Sequence, residues 1–147
     1  AVMKITIEAL ADGAEEEIII RTNTMDSDII NLIYAVKAGR NRITAFYENE
    51  IVQLDSKEVY YFESVDNKVY ACCEKKVFEI KQKLYELEEI YNQTNFVRIS
   101  KSMIVNISKV SKIVPMFNGR LEGVLCNGEK VIITRQYVAN LKKKLGI

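Results

Sequence analysis

Four short polar segments carry the side chains best suited to recognising a partner. They are residues 66–68 (DNK), 98–102 (RISKS), 118–120 (NGR) and 135–136 (RQ), and all fall at predicted strand ends or turns. Lys and Arg supply positively charged hydrogen-bond donors, while Ser, Asn and Gln both donate and accept. Phosphate oxygens and base edges in the grooves of DNA accept such donors. The residue types therefore indicate nucleic-acid recognition.

Residues 96–106 (FVRISKSMIVN) show this pattern most clearly. The apolar members that suit a pair of buried strands include Val97, Ile99, Met103 and Val105. The polar members that stand between them are Arg98, Ser100, Lys101, Ser102 and Asn106. The segment therefore predicts a packed strand pair that presents donors and positive charge from its turn.

The charged residues are unevenly distributed along the chain. The formal net charge is +1, but residues 1–92 hold 11 Lys and Arg against 18 Asp and Glu, giving −7. Residues 93–147 hold 10 against 2, giving +8. A basic half of this kind favours a polyanionic partner. The alternative is a basic surface that is merely solvated.

The composition excludes several classes of protein. The chain lacks histidine, a Gly-rich phosphate loop and a carboxylate cluster, so we expect no enzyme activity, no metal site and no cofactor. Three cysteines make a poor disulfide framework, and buried free thiols are expected. A cytoplasmic protein is expected, because the sequence has neither a membrane-spanning apolar run nor a signal peptide.

Residues 1–42 are predicted to form a small ββα leader. Residues 3–9 and 16–21 read as strands that pair in a hairpin around a turn at residues 11–13. A helix should follow, capped by Asn23 or Thr24 and stopped at Gly39. The polar joint at residues 40–42 marks the boundary with the rest of the chain.

Residues 43–147 are predicted to be mostly β, within an α+β class. Ten short strands are expected at residues 43–47, 50–54, 59–63, 68–73, 77–80, 96–99, 103–105, 110–116, 120–126 and 130–134. Helices are expected at residues 80–91 and from residue 134 or 135 to the end of the chain. The pairs Asn118-Gly119 and Asn127-Gly128 predict hairpin turns in the second half.

Residues 43–147 resemble a LytTR-type DNA-binding domain, an output domain of bacterial response regulators. The segments that carry the resemblance are residues 55–64 (DSKEVYYFES), 83–89 (KLYELEE), 96–113 (FVRISKSMIVNISKVSKI) and 129–145 (EKVIITRQYVANLKKKL). The resemblance implies an elongated fold of about ten short strands whose loops enter successive major grooves of double-stranded DNA. It also implies a sequence-specific transcriptional regulator.

The resemblance further implies which residues contact DNA. Base-reading positions of the family fall at or beside Asn67 and Lys68, at Lys101 and at Arg135, with backbone contacts from Arg98, Ser102 and Gln136. Ser100 joins this set; many members carry histidine there, and serine replaces the imidazole with a hydroxyl while DNA binding is still expected. Ile99 stands where some members have a redox-active cysteine, so that switch should be absent.

The DNA target follows from the same resemblance, while the basic half and the short leader suggest the other partners and the alternative. Expected partners are promoter DNA with direct repeats, a second copy of the chain on DNA, and a membrane-bound regulatory protein, with no small-molecule substrate. The leader is too short for a phosphorylatable receiver domain; it would serve dimerisation or partner contact, or pack as added core. The alternative function is a protein-interaction module that docks an acidic or membrane-bound partner through the basic C-terminal half.

Overall fold

The computed structural model describes residues 4–40 and 42–147, which hold ten strands and three helices. The strands are β1 Ile43–Tyr47, β2 Glu50–Leu54, β3 Val59–Val65, β4 Lys68–Cys73, β5 Val77–Ile80, β6 Phe96–Ser100, β7 Met103–Asn106, β8 Val110–Pro115, β9 Leu121–Leu125 and β10 Lys130–Ile133. The helices are α1 Ser27–Arg40, α2 Leu84–Ile90 and α3 Arg135–Leu145. The expected mostly β class is confirmed.

The strands form two antiparallel sheets. The larger has seven strands in the order β2-β1-β5-β4-β3-β7-β6, and the smaller has three in the order β10-β9-β8. In the larger sheet β7 pairs with both β3 and β6. This pairing brings the β3–β4 turn and the β6–β7 turn to the same end of the sheet.

Two apolar cores lie on opposite faces of the larger sheet. Phe96 of β6 and Ile104 of β7 belong to the core that includes α2, while the next residues, Val97 and Val105, belong to the other. This alternation follows from the two-residue period of a strand. The second core also takes residues from β9, β10 and α3, including Leu141. The smaller sheet and α3 are thereby packed against β6 and β7.

The predicted hairpin of the leader is wrong, because residues 4–26 form neither a strand nor a helix. The turn is present, since Ala14 N donates to Ala11 O at 3.1 Å. Alternating apolar residues stabilise strands only when one face is buried, and Ile5 and Ile7 are 84% and 93% exposed. Met3, where the first strand was predicted to begin, and Asn41 of the joint lie outside the described residues.

The helix boundaries also differ from the predictions. Asp26, rather than Asn23 or Thr24, caps α1, because its carboxylate accepts the backbone N–H of Ile29 at 3.0 Å. Helix α1 ends at Arg40, one residue past the predicted stop. Helix α2 begins at Leu84 instead of residue 80, because Ile80 is still paired with Val69 in the sheet.

The cysteines are free thiols with different exposures. Cys72 is buried and Cys73 half-buried, and burial raises the pKa of Cys72 to about 12 and that of Cys73 to about 11. Cys126 is exposed in the turn between β9 and β10, so the expectation of a buried thiol is wrong there. In the described part of the chain, no helix is long and apolar enough to cross a membrane.

Candidate nucleic-acid interface

Three chain segments meet at a cleft of about 580 Å³. They are the β6–β7 turn, the β8–β9 turn and the start of α3. The residues that line it are Ser100, Lys101, Ser102, Asn118, Arg120, Thr134, Arg135 and Gln136. All eight are polar, and three of them are cations. The cleft is therefore a surface of positive charge and hydrogen-bond donors, which suits an anionic partner.

A β-bulge at Ile99 shapes the first segment. The pairing of β6 with β7 passes from Arg98 opposite Ile104 to Ser100 opposite Met103, which leaves Ile99 as the extra residue. Its side chain is fully buried in the second core. The bulge therefore anchors the end of β6 directly before Lys101, whose side chain remains exposed.

Arg98 lies behind this turn and binds its backbone. Its Nε donates to Ser100 O at 2.7 Å, and Nη2 donates to Lys101 O. Its Nη1 makes an ion pair of 2.8 Å with Glu88 of α2. The side chain is only 15% exposed, so most of its surface is turned toward the protein.

The start of α3 is tied to the bulge. Both the backbone N and the hydroxyl of Thr134 donate to Ile99 O, at 2.9 and 3.3 Å. These bonds fix the first residues of α3 beside the end of β6. Arg135 and Gln136 are thereby held next to Lys101, although more than 30 residues separate them in sequence.

The β8–β9 turn completes the cleft and packs against Arg135. Asn118 and Gly119 both have positive φ, at 63° and 73°, and Met116 N donates to Arg120 O at 2.9 Å. A Cβ added at Gly119 would lie 3.1 Å from Cδ of Arg135. Glycine is therefore favoured both by the backbone conformation and by the close approach of the arginine.

The β3–β4 turn stands beside the β6–β7 turn without lining the cleft. The backbone N of Ser64 donates to Ser102 O at 2.8 Å, which links the two turns. Asn67 is exposed at the tip with φ of 65°, and Lys68 makes an ion pair of 3.6 Å with Glu79. Both side chains of the pair are well exposed, at 62% and 43%.

The structure thus divides the eight residues expected to contact DNA. Ser100, Lys101, Ser102, Arg135 and Gln136 line the cleft, Asn67 and Lys68 lie on the adjacent turn, and Arg98 lies behind. Three lining residues were not among the eight, namely Asn118, Arg120 and Thr134. Residues 118–120 were visible as a polar turn, but nothing in the sequence placed that turn beside α3.

The sequence profile of the LytTr DNA-binding domain matches residues 49–146. The chain belongs to the LytTr DNA-binding domain family. A LytTr DNA-binding domain of a Bacillus cereus methyl-accepting/DNA response regulator has a similar structure, with a TM-score of 0.70 at 27% sequence identity. That similarity covers 74% of this chain and all of the B. cereus chain. The expected family and fold are therefore confirmed.

Two groups of relatives differ in how much of their length matches. The sensory transduction protein LytT of Enterococcus faecalis is 29% identical over 100 residues, which are 68% of this chain and 41% of LytT. An uncharacterized HTH-type transcriptional regulator of Staphylococcus aureus strain NCTC 8325 is 29% identical over 147 residues, which are 99% of both chains. This LytTr protein is a DNA-binding regulator of transcription, as expected.

Proposed function

We propose that the cleft is the surface with which this LytTr domain reads double-stranded DNA. Lys101 and Arg135 donate to base edges in the major groove, where guanine O6 and N7 are the preferred acceptors of Arg and Lys. The single observation that carries the proposal is the convergence of three cations and five neutral polar residues from three distant segments. The neutral residues supply bonds to phosphates and to adenine.

The remaining cations serve positions around the cleft. Arg120 lies at its β8–β9 edge and is assigned to a phosphate. Asn67 and Lys68, on the neighbouring turn, are assigned to the adjacent stretch of the duplex. Neighbouring turns at one end of the sheet would enter successive major grooves, as the family resemblance implies.

The direct test is DNA binding by Arg135→Ala, using promoter DNA upstream of the protein's own operon in a gel-shift titration. The variant should lose about 1–3 kcal/mol of specific binding, because the donors to one base pair are removed. Lys142→Ala is a matched control, since Lys142 also lies on α3 but outside the residues that line the cleft. Undiminished specific binding by Arg135→Ala would overturn the role of the cleft.

The salt dependence distinguishes this function from docking on an acidic protein. The phosphate contact assigned to Arg120 should make the logarithm of the binding constant fall with log salt, at a slope of about −0.9 for each phosphate neutralised. Specific DNA should also be preferred over random DNA. A flat salt response without sequence preference would favour the protein-interaction alternative.

The other expected partners stay predictions. A homodimer on direct-repeat DNA, a membrane-bound regulatory partner and a cytoplasmic location are consistent with a regulator that works on bacterial promoters. Ile5, Ile7, Ile18 and Ile19 of the leader are exposed, and they are suitable for contact with a second copy or a partner protein. The alternative in which the leader packs as core is not supported at these four positions.

A further inference from the structure

We infer that Glu88 and Arg98 form a positioning pair that sets the direction in which Lys101 points, rather than a phosphate-binding site. The inference rests on the proposed role of Lys101 in reading a base. Arg98 was expected to contact the DNA backbone directly. The hydrogen bonds around it point to a different role.

The first argument is that the N–H donors of Arg98 are largely occupied by acceptors of the protein itself. A guanidinium carries five N–H donors, and in this structure three donate to protein acceptors. Two of those acceptors are the carbonyls of Ser100 and Lys101, on the turn that carries the proposed base-reading side chain. With the side chain only 15% exposed, little of the group is available to a phosphate.

The second argument is that three successive backbone carbonyls of the β6–β7 turn accept hydrogen bonds. Arg98 holds the carbonyls of Ser100 and Lys101, Ser64 N donates to the carbonyl of Ser102, and Ser102 N donates to Ser100 Oγ at 3.2 Å. Three successive carbonyls of the turn are therefore fixed. Removing the guanidinium would free two of them at once and loosen the backbone of Lys101.

Glu88 connects this arrangement to a rigid element. It lies on α2 next to Leu87, which is buried in the first core, so its carboxylate is carried by a packed helix. Its side chain is 48% exposed, and an ion pair of that exposure contributes little to folding stability. Its effect should instead be on orientation, since the bond from Nη1 fixes the plane of the guanidinium.

The positioning role and the loss of charge predict opposite effects of Glu88→Gln on DNA binding. Glu88→Gln removes a negative charge near the DNA surface, and simple electrostatics would strengthen binding. If Arg98 were a phosphate contact, loss of its competing carboxylate would strengthen binding further. The positioning role predicts weaker binding, because the neutral amide of Gln would hold Nη1 of Arg98 more weakly than the Glu88 carboxylate does.

The experiment compares Glu88→Gln and Arg98→Lys with Lys101→Ala, and uses Glu89→Gln as the matched control on the same helix. Binding to promoter DNA and to random DNA is measured by fluorescence anisotropy, with thermal unfolding to verify folding. We expect Glu88→Gln and Arg98→Lys to weaken specific binding by about tenfold without weakening binding to random DNA. Glu89→Gln should not weaken specific binding.

A double variant separates positioning from a general loss of structure. In the Lys101→Ala background, Glu88→Gln should cause no further loss of specific binding, because the side chain being positioned is gone. Equal losses in both backgrounds would overturn the inference. If Glu88→Gln bound specific DNA as tightly as wild type or more tightly, while Lys101→Ala bound it more weakly, the positioning inference would be overturned. The proposed base-reading role of Lys101 would then still stand. Unchanged binding by Lys101→Ala would overturn the proposed base-reading role and this inference with it.

Discussion

The β6–β7 turn and the β3–β4 turn lie side by side at one end of the larger sheet, and each presents a lysine expected to read a base. Their supports differ. The turn of Lys101 is held by Arg98, by Ser64 of β3 and by the bonds from Thr134 to the preceding bulge. The turn of Lys68 is a local two-residue hairpin, with an exposed ion pair to Glu79 on β5.

The difference teaches where sequence specificity should reside. A side chain on a fixed backbone loses less conformational entropy when it binds than one on a loosely supported turn. A fixed turn also holds its donors within the narrow geometry that recognition of a base requires. Lys101 should therefore contribute more to discrimination between sequences, and Lys68 more to general attraction.

The largest effect should come from removing both side chains of the cleft that are proposed to read bases. Lys101→Ala and Arg135→Ala should each cost about 1–3 kcal/mol of specific binding. Because the two residues share one cleft, the double variant should depart from additivity by about 0.5 kcal/mol or more. Lys68→Ala should cost less and affect random DNA equally. Anisotropy titrations of the four variants with promoter and random DNA measure all of these quantities.

A loss in Lys68→Ala as large and as sequence-dependent as that in Lys101→Ala would contradict the comparison. It would mean that the β3–β4 turn contributes as much to base recognition as the β6–β7 turn does.

The sequence was sufficient to predict each strand of this domain, because the alternation of residues and the turn pairs are local signals. Asn118-Gly119, for example, adopts the positive φ values that such a pair favours. It could not show that this turn meets α3, because the contact of Gly119 with Arg135 depends on the packing of the smaller sheet. The part played by Arg98 was likewise hidden, since its partner Glu88 lies on a separate helix.

In the described residues of the leader, by contrast, the sequence predicted strands that the structure does not contain. Its residues alternate as clearly as those of β6, but alternation predicts a strand only where a neighbouring strand and a core are present. For β6, the neighbouring strand is β7, and the core is provided by Phe62 and Leu87 among others. At Ile5 and Ile7 the side chains stay exposed, so the same pattern does not produce a strand.

A smaller effect is expected from Gly119→Ala. Gly128→Ala is its matched control, because both glycines have positive φ and only a Cβ at Gly119 meets Arg135. Both variants should lose about 1 kcal/mol of folding stability from the strained backbone. Only Gly119→Ala should also weaken specific DNA binding, by less than the loss of Arg135 itself. Thermal unfolding and anisotropy measure the two effects, and equal DNA affinities of the two variants would disprove the positioning of Arg135 by this turn.

The smallest effect, and the one that separates the two turns most directly, should come from Glu79→Gln. Neutralising Glu79 frees Lys68 from an exposed ion pair, so DNA binding should tighten by less than about 1 kcal/mol, on both promoter and random DNA. The midpoint of thermal unfolding should stay unchanged. The sign is opposite to that expected for Glu88→Gln, although each change removes one carboxylate beside one turn. If anisotropy showed weaker, sequence-dependent binding by Glu79→Gln, the ion pair of Lys68 would be a positioning contact too, and the two turns would work in the same way.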